Sequence, residues 1–152
     1  MNCFYSAFLS PKQFDEVHAL WNAEYPVKLK DRLILLLNEA SKTKHFYFCN
    51  ESNEIIAWSV LFETEKDLRF SIIVSRKYQH QQLGSKLLAE MKKEKLPFSG
   101  WVIDHDADLL SDGTNYRSPL AFYVKNHFQI DETCRLNTEM IKAVLVRYQP
   151  EK

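Results

Sequence analysis

The stretch from Leu68 to Met91 limits the architecture of this chain more than any other. Leu68 to Val74 is apolar and β-prone. Leu83, Leu87, Leu88 and Met91 fall on one helical face. A short polar loop joins the two, and Phe98 to Asp104 follows as another strand, apolar through Trp101, Val102 and Ile103. Strand, loop, helix and strand in this order suit two parallel neighbours that can part to admit a ligand. A helix starting near Gln81 points its positive end and its unpaired N–H groups back at the loop. That junction suits a phosphorylated ligand.

The rest of the chain supplies the remaining elements. Cys3 to Phe8 reads as a short first strand. Ser10-Pro11 gives the capping serine and first-turn proline of a helix whose apolar stripe is Phe14, Val17, Leu20 and Trp21. After Pro26 a second helix carries Leu33, Leu36, Leu37 and Ala40 on one face. His45 to Cys49 and Glu54 to Glu63 flank the polar turn Asn50–Asn53 as a hairpin. Ser118-Pro119 repeats the helix-start signal before Leu120, Tyr123, Val124 and His127. Strands over Phe128 to Arg135 and Ile141 to Tyr148 close the chain. The order β-α-α-β-β-β-α-β-α-β-β predicts an α/β protein of the mixed-sheet kind, one domain over residues 1–152, with six or seven strands and helices on both faces.

Composition narrows the partners. Twenty basic and twenty acidic residues cancel, which speaks against a broad nucleic-acid surface. The longest apolar run, Leu33 to Leu37, is far short of a membrane span, and the N-terminus lacks the pattern of a signal peptide. Cys3, Cys49 and Cys134 are odd in number and widely spaced, so a reduced, cytoplasmic setting is expected. No His or Cys pair stands at metal-ligand spacing, so no metal is expected.

With three glycines the chain lacks both the dinucleotide fingerprint and the P-loop. It carries instead Gln79-x-x-Gln82-x-Gly84, five residues beyond Val74. Farther on comes Ala121-Phe122-Tyr123-Val124-Lys125-Asn126-His127-Phe128. In these two segments the sequence resembles the GNAT (Gcn5-related) N-acetyltransferases. Their motif is R/Q-x-x-G-x-G/A after a strand ending in valine, followed downstream by an A-x-FY-x-x-x-GF helix. Gln82 and His127 stand where the family has glycine.

The resemblance implies the GNAT fold and acetyl-CoA as co-substrate. It places the pyrophosphate on the amides of Gln79, His80, Gln81, Gln82, Leu83, Gly84 and Ser85, and pantetheine on the backbone of Ile72, Ile73 and Val74. It gives Tyr123 the role of protonating the leaving thiolate, although the same position also suits a packed aromatic on an amphipathic helix. The reaction implied is direct attack of an amine in a ternary complex. The acceptor is a small-molecule amine or a protein amine, with neither nucleic acid nor membrane as partner, and a homodimer is compatible. Gln82 in place of glycine also fits a non-catalytic module that holds an acyl-CoA without transfer.

An amine with pKa about 10.4 is neutral only about once in 2,500 molecules at pH 7, a handicap of about 4.6 kcal/mol. A base would relieve part of it. Some members of the family place a glutamate on the fourth strand, but the matching position falls near Leu68, and Asp67 points to the opposite face. The other candidates are Glu63, Asp104 and His105. Asp106 and Asp108 complete an acidic run that could draw a cation, although a solvated loop explains it more simply. For the acceptor the candidates are Glu24 and Tyr25 between the first two helices, and Tyr116 in a turn-rich loop.

Overall fold

The computed structural model describes residues 1–151. Seven strands form one sheet: β1 (Phe4–Ser6), β2 (Ser41–Cys49), β3 (Ile55–Glu63), β4 (Leu68–Val74), β5 (Phe98–Ile103), β6 (Gln129–Asn137) and β7 (Lys142–Tyr148). They lie in the order β1-β2-β3-β4-β5-β7-β6. Every pairing is antiparallel except β4 with β5. That exception follows from the connection, since only a helical crossover joins β4 to β5 while tight turns join β2, β3 and β4.

Helices cover both faces. Helix α1 (Pro11–Glu24) begins with a reciprocal cap: Ser10 Oγ accepts from the Gln13 N–H at 3.2 Å, and Gln13 Oε1 accepts from the Ser10 N–H at 2.8 Å. With α2 (Leu33–Glu39) it sets Val17, Leu20, Trp21 and Leu33 against Trp58, Val60 and Ile73 of the sheet. On the other face α3 (Leu83–Lys92) and α4 (Leu120–Lys125) press Leu83, Leu87, Leu88, Met91 and Tyr123 onto Phe46, Phe48, Leu61 and Phe70. No helix is long and apolar enough to cross a membrane among the described residues.

The observed elements correct several sequence boundaries. In α2 only Leu33 is buried, and Ala40 lies beyond the helix end. Helix α3 starts at Leu83, two residues later than expected, because Arg76–Gln81 winds into a 3-10 turn. Gln82 then takes a left-handed conformation, φ 59° and ψ 26°, which breaks the winding and restarts it as α-helix. His127 is left-handed as well, at φ 70°, just past the end of α4. Both residues that stand in place of family glycines therefore occupy the backbone region glycine favours.

Candidate functional site

The parallel pair is joined only at its start. Arg69 lies opposite Ser99, and beyond that row β4 and β5 part. The Ser75 N–H bonds the Ile56 carbonyl at 2.9 Å. Alternation along the strand therefore turns the backbone groups of Ser71 and Ile73 toward β3, and those of Ile72 and Val74 toward the gap. Ile73, expected to join its neighbours in holding a ligand, has its backbone committed to the β3 ladder.

At the end of the gap the chain offers free amides. Gln79, His80 and Gln81 lie inside the 3-10 turn, whose N–H groups bond three residues back. The first α-helical bond of α3 runs from Lys86 N–H to the Gln82 carbonyl at 3.0 Å, and no side chain caps the helix. The N–H groups of Leu83, Gly84 and Ser85 are left as donors at the positive helix end. A Cβ on Gly84 would stand 3.2 Å from the Phe122 ring, so a glycine there lets α3 close on α4.

Three tyrosines close around the gap. Tyr123 is buried from the α4 side, its ring 5.5 Å from Phe70 and 5.3 Å from Phe128. Tyr25 reaches in from the end of α1: its hydroxyl lies 3.0 Å from Ser71 Oγ and donates to the Ile72 carbonyl at 3.4 Å. Tyr116 packs edge-on to Tyr25 with ring centres 6.3 Å apart. Burial raises the pKa of all three, and the neighbouring phenols raise those of Tyr116 and Tyr123 further. Each hydroxyl therefore stays protonated well above neutral pH.

The charged candidates are otherwise engaged. Glu24 accepts from the Arg76 N–H at 2.9 Å and pairs with its Nε at 3.0 Å. The same guanidinium bonds Asp112 at 3.0 Å. Bonds from Thr114, and then Arg76, hold Asp112 down at about 2. Asp104 pairs with Arg135 of β6 at 2.6 Å. His105 accepts the Ala107 N–H on Nδ1 at 3.1 Å, and its Nε2 faces the buried Asp108 at 3.8 Å. Asp108 also pairs with Lys28 at 3.4 Å. Glu63 stands opposite Leu68, at the far end of β4 from the gap, and pairs with Lys42. Six residue steps of strand, about 20 Å, separate Leu68 from Val74.

Sequence reasoning singled out Tyr25, Tyr116 and Tyr123 separately and did not foresee that they meet. It missed Arg76, Asp112 and Ser71. Arg76 offered one signal, a cation soon after the strand and ahead of the free amides of α3. Its two partners are 52 and 36 residues away in sequence, and local pattern carries no trace of them. No group of three or more His, Cys, Asp or Glu is arranged to hold a metal among the described residues.

Fold and gap define a class: a mixed seven-stranded sheet whose one parallel pair opens onto a helix start bearing free amides. The chain belongs to the GNAT acetyltransferase family, whose domain model, described as "Acetyltransferase (GNAT) domain", matches residues 42–130. Solved structures share the fold at low identity. An aminoglycoside 6'-N-acetyltransferase complexed with coenzyme A aligns at TM-score 0.64 and 15% identity, over 95% of this chain and 96% of that one. The aminoglycoside 6'-N-acetyltransferase from Enterococcus faecium gives 0.68 and 14%, over 97% and 96%. The ribosomal-protein-S18-alanine N-acetyltransferase from Escherichia coli gives 0.58 and 16%, over 98% and 94%. Among curated proteins no sequence matches.

Proposed function

We propose that this chain is an N-acetyltransferase that moves the acetyl group of acetyl-CoA to an amine by direct attack in a ternary complex. The observation that carries the reading is the β4–β5 gap leading to the free amides of Leu83, Gly84 and Ser85. The described residues fit the co-substrate: a phosphate-sized anion needs backbone donors without side-chain obstruction, and Gly84 at the helix start provides that approach. Ile72 and Val74 would hold the pantetheine arm through their gap-facing backbone. Acetyl-CoA supplies a thioester whose acetyl carbon accepts the amine and whose sulfur leaves.

Tyr123, buried and protonated, donates its hydroxyl proton to the leaving sulfur and regains one from the nitrogen through solvent. Tyr25 and Tyr116 wall the acceptor side, and Arg76 fixes both walls by tying Glu24 to Asp112. Glu24 and Asp104 are paired, Glu63 is distant, and the Nδ1 lone pair of His105 is taken by the Ala107 N–H, so the acceptor enters as the minor neutral amine. Turnover should then rise about tenfold per pH unit below the pKa of the amine.

The test is thiol release from acetyl-CoA with a panel of a polyamine, an aminoglycoside, amino acids and peptides with a free N-terminus. Release that depends on one acceptor class, with the stated pH slope, supports the reading. Coenzyme A binding without release from any member would leave an acyl-CoA-binding module.

A further inference from the structure

On the face covered by α1 and α2, a groove of about 450 Å3 opens beside β1 and β2. Phe8, Leu9, Phe14, Ile34 and Leu37 form its apolar walls, and His45 lines it from the sheet. His45 lies opposite Val60, which lies opposite Ser71, so the groove stands two strands from the gap. That is about 10 Å across the sheet. It is a site apart from the acetyl-transfer centre.

His45 is only 3% exposed. Its Nδ1 accepts the indole N–H of Trp58 at 3.0 Å. Because an indole only donates, the neutral imidazole must carry its proton on Nε2. Burial lowers the pKa of the ring to about 4, which keeps it neutral at pH 7. Nε2 has no protein partner among the described residues. The unpartnered side-chain atoms sealed from solvent are Ser59 Oγ, Arg69 Nη1, Ser99 Oγ and His105 Nε2. His45 Nε2 is not one of them, so its N–H opens onto the groove.

We propose that this groove binds a small uncharged apolar molecule that places one oxygen acceptor on the Nε2–H of His45. In the open groove that donor can bond only water, and a neutral acceptor on an apolar body replaces the water without desolvating a charge. An ionised carboxylate would give up its water for one neutral imidazole donor, because the other polar side chains on the groove, Lys42 and Thr43, already pair with Glu63 and the Ala7 carbonyl. Lys42 lines the groove, but its side chain is 78% exposed and its ammonium lies 3.5 Å from Glu63. An ammonium offers no acceptor at all. The volume falls in the range of small-molecule sites.

Titration of 15N-histidine-labelled protein with 2-heptanone, heptanoate and heptylammonium tests this by NMR. The expected result is a saturable shift of the His45 Nε2 signal and of the Trp58 indole N–H with 2-heptanone alone. Ile34 is 43% exposed, so Ile34→Asp keeps the core while placing a charge in the wall. It should weaken the ketone about tenfold or more. No saturable shift up to the solubility limit of 2-heptanone, or an equal response to heptylammonium, overturns the proposal. Groove signals that move with protein concentration alone would assign the groove to a second copy of the chain and overturn it too.

Discussion

Tyr123 is held by packing in one core cluster, among Phe70, Phe128 and the leucines of α3. No hydrogen bond contributes to the shift of its phenol, and the raised pKa comes from burial and from Tyr25 and Tyr116. Tyr123→Phe should therefore change stability by less than about 0.5 kcal/mol. If the phenol protonates the leaving sulfur, turnover should fall about 100-fold with acetyl-CoA affinity intact. Steady-state kinetics beside a thermal melt separates these effects, and unchanged turnover removes Tyr123 from the chemistry. His45 gives a second prediction at this scale. Its pKa falls from 6.5 to about 4 on folding, so between those values the unfolded chain binds the extra proton. Stability then drops as pH falls from about 6.5 to about 4, by about 3 kcal/mol in all. Urea titrations across that range should show the slope in the wild type and not in His45→Gln.

At the scale of elements, the start of α3 is the informative case. The sequence marks a helix there through the spacing of Leu83, Leu87, Leu88 and Met91. It does not show that Gln82 must turn left-handed to end the 3-10 turn first. A left-handed side-chain-bearing residue costs about 1–2 kcal/mol, part of which glycine returns as unfolded-chain entropy. Gln82→Gly should raise stability by up to about 1 kcal/mol without weakening acetyl-CoA binding. Gln82→Val, branched at Cβ, should lose about 1–2 kcal/mol, or roughly 2–8 °C in Tm. Arg76 joins three segments: the end of α1, the cradle and the loop before α4. Arg76→Gln should raise the KM for the amine roughly three- to tenfold by loosening Tyr25 and Tyr116. The stabilisation by acetyl-CoA should remain, and a change confined to kcat would refute this positioning role.

For the whole molecule the sheet and its two cores predict how ligand binding is felt. Acetyl-CoA would bridge the gap-facing backbone of β4 and the start of α3, which pack into one core with α4. At about 100 times its dissociation constant a ligand adds roughly 2.7 kcal/mol. For a chain of this length that is about 5–10 °C in Tm. A differential scanning experiment showing no shift at millimolar acetyl-CoA would count against the proposed function.

The sequence alone determined what depends on near neighbours. Periodicity located the main helices and strands, the Ser10-Pro11 signal located a cap that forms as written, and the motif ending at Gly84 marked the helix start whose amides are free. The GNAT resemblance carried the order of elements into a fold. Tertiary structure decided what depends on distant pairing. It set the single parallel contact at Arg69 and Ser99 that opens the gap, and the capture of Glu24 and Asp104 by arginines elsewhere. It also assembled the three tyrosines, and it left the inner N–H of His45 facing a groove. Charge and hydroxyl partners are chosen by geometry across the sheet. A carboxylate that looks free in the sequence is free in the protein only if no distant cation folds against it.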